Sequence, residues 1–463
     1  MSVIAKELDY QKYAISHGSY QLTQLTQQTG GQTVTITNGG EESIFELSPK
    51  VFNYAHSILQ WASTPTKGTH YNWMYADGIS HIRQLQLYTR SGLFLVDLND
   101  VGNYTNMTLR RETKAEEMLT YDKVNGTSGY FEGLAPCDSV DTANLRPGYA
   151  VATGGATSYL EPIYMLVGGD NTDTPVMNYQ IPLSRFKNTL LAIDKNMYFG
   201  GEMLYLRIVW NSPTKIYFNT TANDGTRAGS AVGTGVAISN LMLYMAVEQN
   251  PVIEQELKAK VNTGEGFNLL VPYVYQNKQT IQGSTQTITV KYNRAHGSKL
   301  LKIYWAPFNP AETNFSAYDH SNLTNANPPA QQGKITNFYT LINNIRTSQF
   351  NYNCTGDDWM AQKLKLKGSC IFSSNEYYFN YVWVEDFTNN YSLVDKPLTP
   401  PEVNYIDGLD LNTEIKYDIY ANINSSVALP PSGSTPAVVG LAHYVYAVCQ
   451  KTLVVNSSGI SLL

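Results

Sequence analysis

The sequence is poor in charge. Asp, Glu, Lys and Arg make up 15% of its 463 residues, against roughly 25% in average usage. The balance is acidic, at -6. The first fifty residues hold only Lys6, Lys12 and Lys50, set against Glu7, Asp9, Glu41, Glu42 and Glu46. A chain without a basic arm or patch is not built to attract nucleic acid, so no direct nucleic-acid binding is expected. No run of about 18 apolar residues occurs, so no membrane span is expected. The first residues lack the charged-then-apolar pattern of a secretory signal. Cysteine is scarce: Cys137, Cys354, Cys370 and Cys449 are scattered without CxxC spacing, which points to neither a zinc site nor a redox pair. They read as reduced thiols.

Catalytic signatures are missing too. HExxH, P-loop, GxSxG and GxGxxG patterns do not occur. His17, His56, His70, His81, His296, His320 and His443 show no ligand spacing and read as structural or surface residues. The acidic pairs Glu41-Glu42, Glu116-Glu117 and Asp357-Asp358 read as solvated surface, because neighbours on a strand face opposite ways. Two oxygen-rich loops, Gly168 to Pro175 and Ile406 to Glu414, lack the spacing of a calcium loop and read as turns. No enzyme, cofactor or metal site is expected.

Aromatic residues are what the chain has in excess, at 12%, with 34 tyrosines. Tyrosine and threonine suit a pleated, half-buried surface. Low charge suits a surface that other chains cover better than it suits a lone monomer. Strand-like runs dominate. In the first half they are Gln32 to Asn38, Ser43 to Pro49, Ile82 to Thr89, Gly92 to Leu98, Tyr159 to Gly169, Met203 to Trp210 and Ile238 to Val247. Asn250 then reads as a helix cap and Pro251 as a first helical residue, opening a short linker helix. Beyond it the runs resume at Phe267 to Gln276, Thr285 to Asn293, Lys299 to Phe308, Gln362 to Ser369, Thr413 to Ile423 and His443 to Val455. Helices are expected over Pro49 to Ala62, Thr105 to Thr120 and Ser184 to Asp194. Long polar insertions are expected at 123–158, 212–234, 309–333 and 396–412, and loops of this length are usually functional or disordered. The two halves match in length and strand content, which indicates two all-β sandwiches or barrels.

One stretch concentrates the aromatics: Tyr377, Tyr378, Phe379, Tyr381 and Trp383 follow the alternating segment Lys363-Leu364-Lys365-Leu366. With Gly368, Phe372-Ser373 and Tyr378-Phe379-Asn380, this segment resembles one in the second half of the double jelly-roll major capsid proteins of DNA viruses, the lineage of large DNA viruses, virophages and polinton-like viruses. Lys367 and Cys370-Ile371 depart from the family's usual Asn and acidic-arginine pair. Ala295 to Phe308, the terminus from His443, and Pro182 to Trp210 with its Leu206-Arg207-Ile208 are similar to family segments in the same order. The resemblance implies two consecutive eight-stranded jelly rolls with short helical insertions. They would divide as an N-terminal arm (1–28), a first roll (29–249), a linker helix (250–266) and a second roll (267–463). It implies a major capsid protein forming a homotrimeric, pseudo-hexagonal capsomer that tiles an icosahedral shell. Its partners would be itself, neighbouring capsomers, and penton and minor capsid proteins, with a location in the virion. The arm, with Tyr10, Tyr13 and Tyr20, would lie under the capsomer. Tyr377, Tyr378, Phe379, Tyr381 and Trp383 would pack on their own roll and against a neighbouring chain. Two other readings share the composition: a viral attachment or carbohydrate-binding β-sandwich, which needs an exposed cluster of aromatic and polar groups, and a cupin-like or glycosidase-like enzyme, which needs a histidine and carboxylate cluster.

Overall fold

The computed structural model describes residues 20–28, 31–66, 72–75, 78–112, 149–152, 157–160, 164–168, 176–219, 231–232, 235–264, 266–308, 335–352, 382–388, 408–423 and 440–463. Eight strands form the backbone of the two main sheets of the first half: β1 (Tyr20–Leu25), β2 (Glu42–Leu47), β3 (Phe52–Pro65), β4 (Ile82–Thr89), β5 (Phe94–Asn99), β6 (Met177–Pro182), β7 (Leu204–Trp210) and β8 (Val236–Glu248). Eight more build the second: β9 (Phe267–Gln282), β10 (Thr285–Tyr292), β11 (Lys299–Phe308), β12 (Ile335–Ile342), β13 (Ile345–Arg346), β14 (Trp383–Asp386), β15 (Ile415–Ile423) and β16 (Gly440–Asn456). The first half pairs as β1-β8-β3-β6 in a wide sheet and β2-β7-β4-β5 in a narrow one. Adding eight to every label gives the second half: β9-β16-β11-β14 and β10-β15-β12-β13. Each half is a jelly roll, two antiparallel sheets face to face with the first strand beside the last.

Alternation sets each strand's inward face. On β3 and its neighbours, Leu59, Leu243 and Ile181 share an inward row, as do Trp61 and Tyr179. The second sandwich closes on Trp305, Trp383, Phe338, Tyr417 and Ile419. The Asn343-Asn344 turn between β12 and β13 puts both residues at positive φ (50° and 68°), as a two-residue hairpin turn requires.

A helix forms where Asn250 and Pro251 open one in sequence. Helix α2 (Pro251–Asn262) opens on Asn250, whose side-chain oxygen accepts from the Val252 N–H at 3.0 Å. Ile253, Leu257 and Val261 are buried, one residue per turn along a stripe. Gly266 follows at φ 62°, where an added Cβ would lie 2.3 Å from the Val455 carbonyl oxygen. Only glycine lets the chain pass so close.

Five expectations change. Pro49 to Ala62 is not a helix but most of β3. Its apolar residues fit both periods, and pairing with β8 on one side and β6 on the other decides for the strand. Ser184 to Asp194 is two short 3-10 turns, Leu183–Arg185 and Leu190–Ala192, because Asn188 between them sits at φ 57°. The helix expected from Thr105 begins earlier, as α1 (Val101–Glu112), and 113–120 lie outside the described residues. The Tyr159 to Gly169 run is split between short strands Thr157–Leu160 and Tyr164–Gly168. The arm boundary at residue 28 also moves. β1 pairs with β8 from Tyr20↔Glu248 to Leu25↔Leu243, so residues 20–25 are part of the first roll. The run at Gln362 to Ser369 lies outside the described residues.

Candidate assembly surfaces

The two rolls meet along a seam that buries the outer face of the second wide sheet. That sheet is therefore apolar on both faces, and every residue from Ala442 to Gln450 is buried. Its inward residues Val445, Ala447 and Cys449 belong to the second sandwich's own core. Its outward residues Tyr304, Tyr444, Tyr446 and Val448 belong to a core shared with the first roll. Burial pushes the Cys449 thiol up to about 12, which makes it an inert packing residue.

The first roll contributes β5, α1 and the 3-10 turns to this seam. Leu95, Val96 and Leu98 of β5 face Pro272, Tyr273 and Val274 of β9 across a narrow cleft with Thr189. Desolvation, with Asp97 adding to it, pushes the Tyr273 phenol up to about 12. Tyr104 of α1 meets Tyr304 edge-on at 5.9 Å and Tyr446 at 5.2 Å between ring centres, a preferred aromatic geometry. Every polar end of this group has a partner. Asn188 Nδ2 donates to the Tyr104 and Tyr304 hydroxyls at 3.0 and 3.1 Å. Tyr104 donates to the Lys187 carbonyl at 3.0 Å. Gln276 Nε2 donates to Asp100 Oδ2 at 2.6 Å and to the Tyr446 hydroxyl at 3.2 Å. Asp100 and Asn188 both hold positive φ, 47° and 57°, so the backbone turns where the rolls touch.

Among the described residues the first wide sheet has no such cover. Gln24, Tyr244 and Ile58 form one outward row, and Gln180, Gln60 and Met242 the next. They are exposed or half-buried, and Leu22 on the edge strand is 49% exposed. At one end of this face lies a polar group. His56 Nε2 lies 3.0 Å from Asp194 Oδ1 and stacks on Tyr20, and Asn53 Nδ2 donates to Asp194 at 2.8 Å and to Tyr20 at 3.1 Å. The hydrogen bond to Asp194 holds His56 above the usual histidine range, against partial desolvation.

Among the described residues the second narrow sheet ends on β13, where exposed Ile345 stands beside Arg346. After β13, Thr347 donates from its N–H to the Thr340 carbonyl and Tyr352 bridges to Phe338. The edge thus continues along β12 with a break between. Ile345 is 73% exposed and Phe350 58%. The outer faces of the two narrow sheets carry matching stacked pairs. Tyr88 stands opposite Tyr205 in the first, 5.4 Å between centres, and Tyr339 opposite Tyr420 in the second, 5.0 Å.

Of the aromatics singled out in the sequence, Trp383 is fully buried inside the second sandwich. Its ring lies 4.1 Å from Tyr352 and 5.1 Å from Phe338, and its Nε1 donates to Glu385 at 3.0 Å. It packs on its own roll. Tyr377, Tyr378, Phe379 and Tyr381 lie outside the described residues. In the Ile406 to Glu414 loop, Asp410 accepts from its own turn, from the Asn412 N–H and side chain, and Glu414 pairs with Lys291. Among the described residues no cluster of histidine, cysteine and acidic side chains could hold a metal, and no helix is long and apolar enough to cross a membrane. Sequence reasoning missed Tyr104, Asn188, Tyr304 and Tyr446. The sequence trace of the seam is the unbroken apolar run at 444–449, as a strand buried on both faces loses its alternation, yet the run at 241–247 looks the same.

No protein-family model matches the chain, and no curated protein matches it in sequence. Solved structures do match, over nearly the whole length. VP54 of PBCV-1, fitted into a reconstruction of the virophage Sputnik, is 11% identical with a TM-score of 0.53, covering 96% of this chain and 97% of that one. The Faustovirus major capsid protein is 9% identical with a TM-score of 0.53, covering 94% and 90%. The mavirus major capsid protein is 8% identical with a TM-score of 0.50, covering 97% and 90%. Sequence identity this low speaks for the fold alone. Two successive rolls of one strand order, sealed side by side over that length, give this chain the double jelly-roll fold of viral major capsid proteins.

Proposed function

We propose that the chain is a major capsid protein and that three copies form a pseudo-hexagonal capsomer that tiles an icosahedral shell. The observation that carries this reading is the seam: two rolls of one topology stand side by side in a single rigidly satisfied unit. Three such units supply six rolls. A head-to-tail contact between copies is heterologous, and a threefold rotation closes it into a ring. A flat six-sided tile is what a large shell needs. The role is structural, not catalytic. Its partners are further copies of itself in the capsomer, neighbouring capsomers, and penton and minor capsid proteins in the virion.

Light scattering on the purified chain, followed by negative-stain microscopy, tests this. A species of three chains with a hexagonal outline is the expected result. A monomer, or an elongated trimer, would move the reading to an attachment protein.

Two finer parts follow. The connection between β5 and β6 holds α1, which supplies Tyr104 to the seam. The connection between β13 and β14 holds Tyr377, Tyr378, Phe379 and Tyr381, and we assign it the corresponding place against a neighbouring chain. Tyr378→Ala with Phe379→Ala should lower the melting temperature of the trimer, and an unchanged melting curve would remove this assignment. Residues 1–19 are assigned to contacts beneath the capsomer. Deleting them should impair shell assembly and spare the trimer, whereas deleting 1–25 should also strip β1 from its sheet. Loss of the trimer on deleting 1–19 would count against the assignment.

A further inference from the structure

The seam within one chain can be read as a template for a contact between chains. In the chain, the edge strand of the first narrow sheet, β5, lies against the edge strand of the second wide sheet, β9. The strand that corresponds to β5 in the second roll is β13, and the strand that corresponds to β9 in the first roll is β1, because the two strand orders are the same. Among the described residues, neither β13 nor β1 has the cover that β5 and β9 give each other. Yet these two strands, with the segment after β13, carry three of the seven exposed large apolar residues among those described: Leu22, Ile345 and Phe350. The seam's apolar side chains come from the same places: Leu95, Val96 and Leu98 on one side, Pro272 and Val274 on the other. A solvent-facing edge normally carries charge to discourage pairing. Here Arg346 supplies one charge, but it lies over the Tyr339 ring, and Ile345 beside it is left 73% exposed at an edge whose counterpart is already buried.

Resting on the capsomer reading, we propose that β13 of one copy, with Ile345 and Phe350, packs on β1 and the outward face of the first wide sheet of a second copy, at Leu22, Met242 and Tyr244. The occupant of that open sheet face is therefore another copy of this chain. The two patches differ and sit on different rolls, so the contact is heterologous. Repeated with the in-chain seam, it alternates first and second rolls around a ring.

The test is the mass in solution of charge variants of the full chain. Leu22→Lys alone and Ile345→Asp alone should each convert three-chain particles to single chains, with the melting temperature of the free chain unchanged because both side chains are exposed. The double variant places Lys opposite Asp at every contact and should recover the three-chain mass. A second measurement does not depend on charge. Chains with Leu22→Cys mixed with chains with Ile345→Cys should form a disulfide-linked pair absent from either preparation alone. A parent trimer whose mass survives both single substitutions, or a mixture that never cross-links beyond the single preparations, overturns this contact and leaves the capsomer reading standing. A parent chain that stays monomeric at all concentrations overturns both.

Discussion

The second wide sheet is apolar on both faces, whereas the first is apolar on one. They share a strand order, so the difference is not topological. It records how many neighbours each sheet has inside the chain. β16 reads as an unbroken apolar run because the sandwich interior takes one face and the first roll takes the other. β8 alternates in burial through Leu241, Met242, Leu243 and Tyr244, although all four are apolar, because only its inward residues are fully packed. A strand's burial pattern thus reports its count of covered faces better than its sequence does, since Leu241 to Val247 is as unbroken an apolar run as 444–449, and the half-buried outward residues Ile58, Met242 and Tyr244 mark a face that the described residues leave uncovered.

The largest effect that could break this comparison comes from removing one outward tyrosine on each sheet. Tyr304→Ala deletes a fully buried ring in the seam and should cost the unassembled chain about 3–5 kcal/mol, the range for deleting a buried aromatic. Tyr244→Ala should cost about 1 kcal/mol or less there, as a partly exposed site. Urea unfolding of the two variants checks this, and equal costs would mean the seam contributes little. Next comes Asn188→Ala. It takes a donor from two buried phenols and leaves alanine at φ 57°, for a loss of about 2–3 kcal/mol. Asn188→Gly tolerates the backbone and so reads the hydrogen bonds alone.

Acid should sharpen the comparison further, since among the described residues each roll buries one histidine. Desolvation holds His443 down to about 3 and His81 to about 4, from an ordinary 6.5. His443 accepts from Trp305 Nε1 at 3.2 Å and donates through Nε2 to Gln286, so it is built neutral. The unfolded chain binds these protons near 6.5 and the folded chain does not. The stability they protect is complete above that pH and is lost as pH falls from about 6.5 towards 4 and then 3. His443→Gln should flatten the lower part of this acid limb in a melting-temperature profile. The smallest effect has the opposite sign. His56 is raised by Asp194, so its contribution is present below 6.5 and fades as pH rises through its folded value. His56→Gln should remove only that alkaline decline, which will be slight because the pair is about half exposed.

Much of the fold was legible because its signals are local. The alternation of 82–89 and 299–308 gave β4 and β11 residue for residue, and Asn250-Pro251 gave the linker helix. β3 was misread because Phe52, Leu59 and Trp61 fit a helix as well as a strand until their partners are known. The assembly surfaces were harder to see. The aromatic stretch drew attention by density, yet Trp383 turned out to be core. Leu22 and Ile345 are single apolar residues with nothing unusual around them in sequence. Their meaning comes from where the strand order repeats, and that repeat has no residue-level trace.

One feature of both rolls bears on how the chain is made. Each roll closes by pairing its first strand with its last: β1 with β8, and β9 with β16 along sixteen residues without a break in register. During synthesis the first roll can close once residue 248 has left the ribosome. The second must wait with β9 unpaired until residues 440–456 emerge, about 160 residues and, at the usual 5–20 residues per second, roughly ten to thirty seconds later. Through that interval the finished first roll presents β5, α1 and its open sheet with nothing yet behind them. Long-range pairing of this kind is slow and exposed to aggregation. The second roll is then the step at which yield is won or lost, and a chaperone's client is the half-made chain.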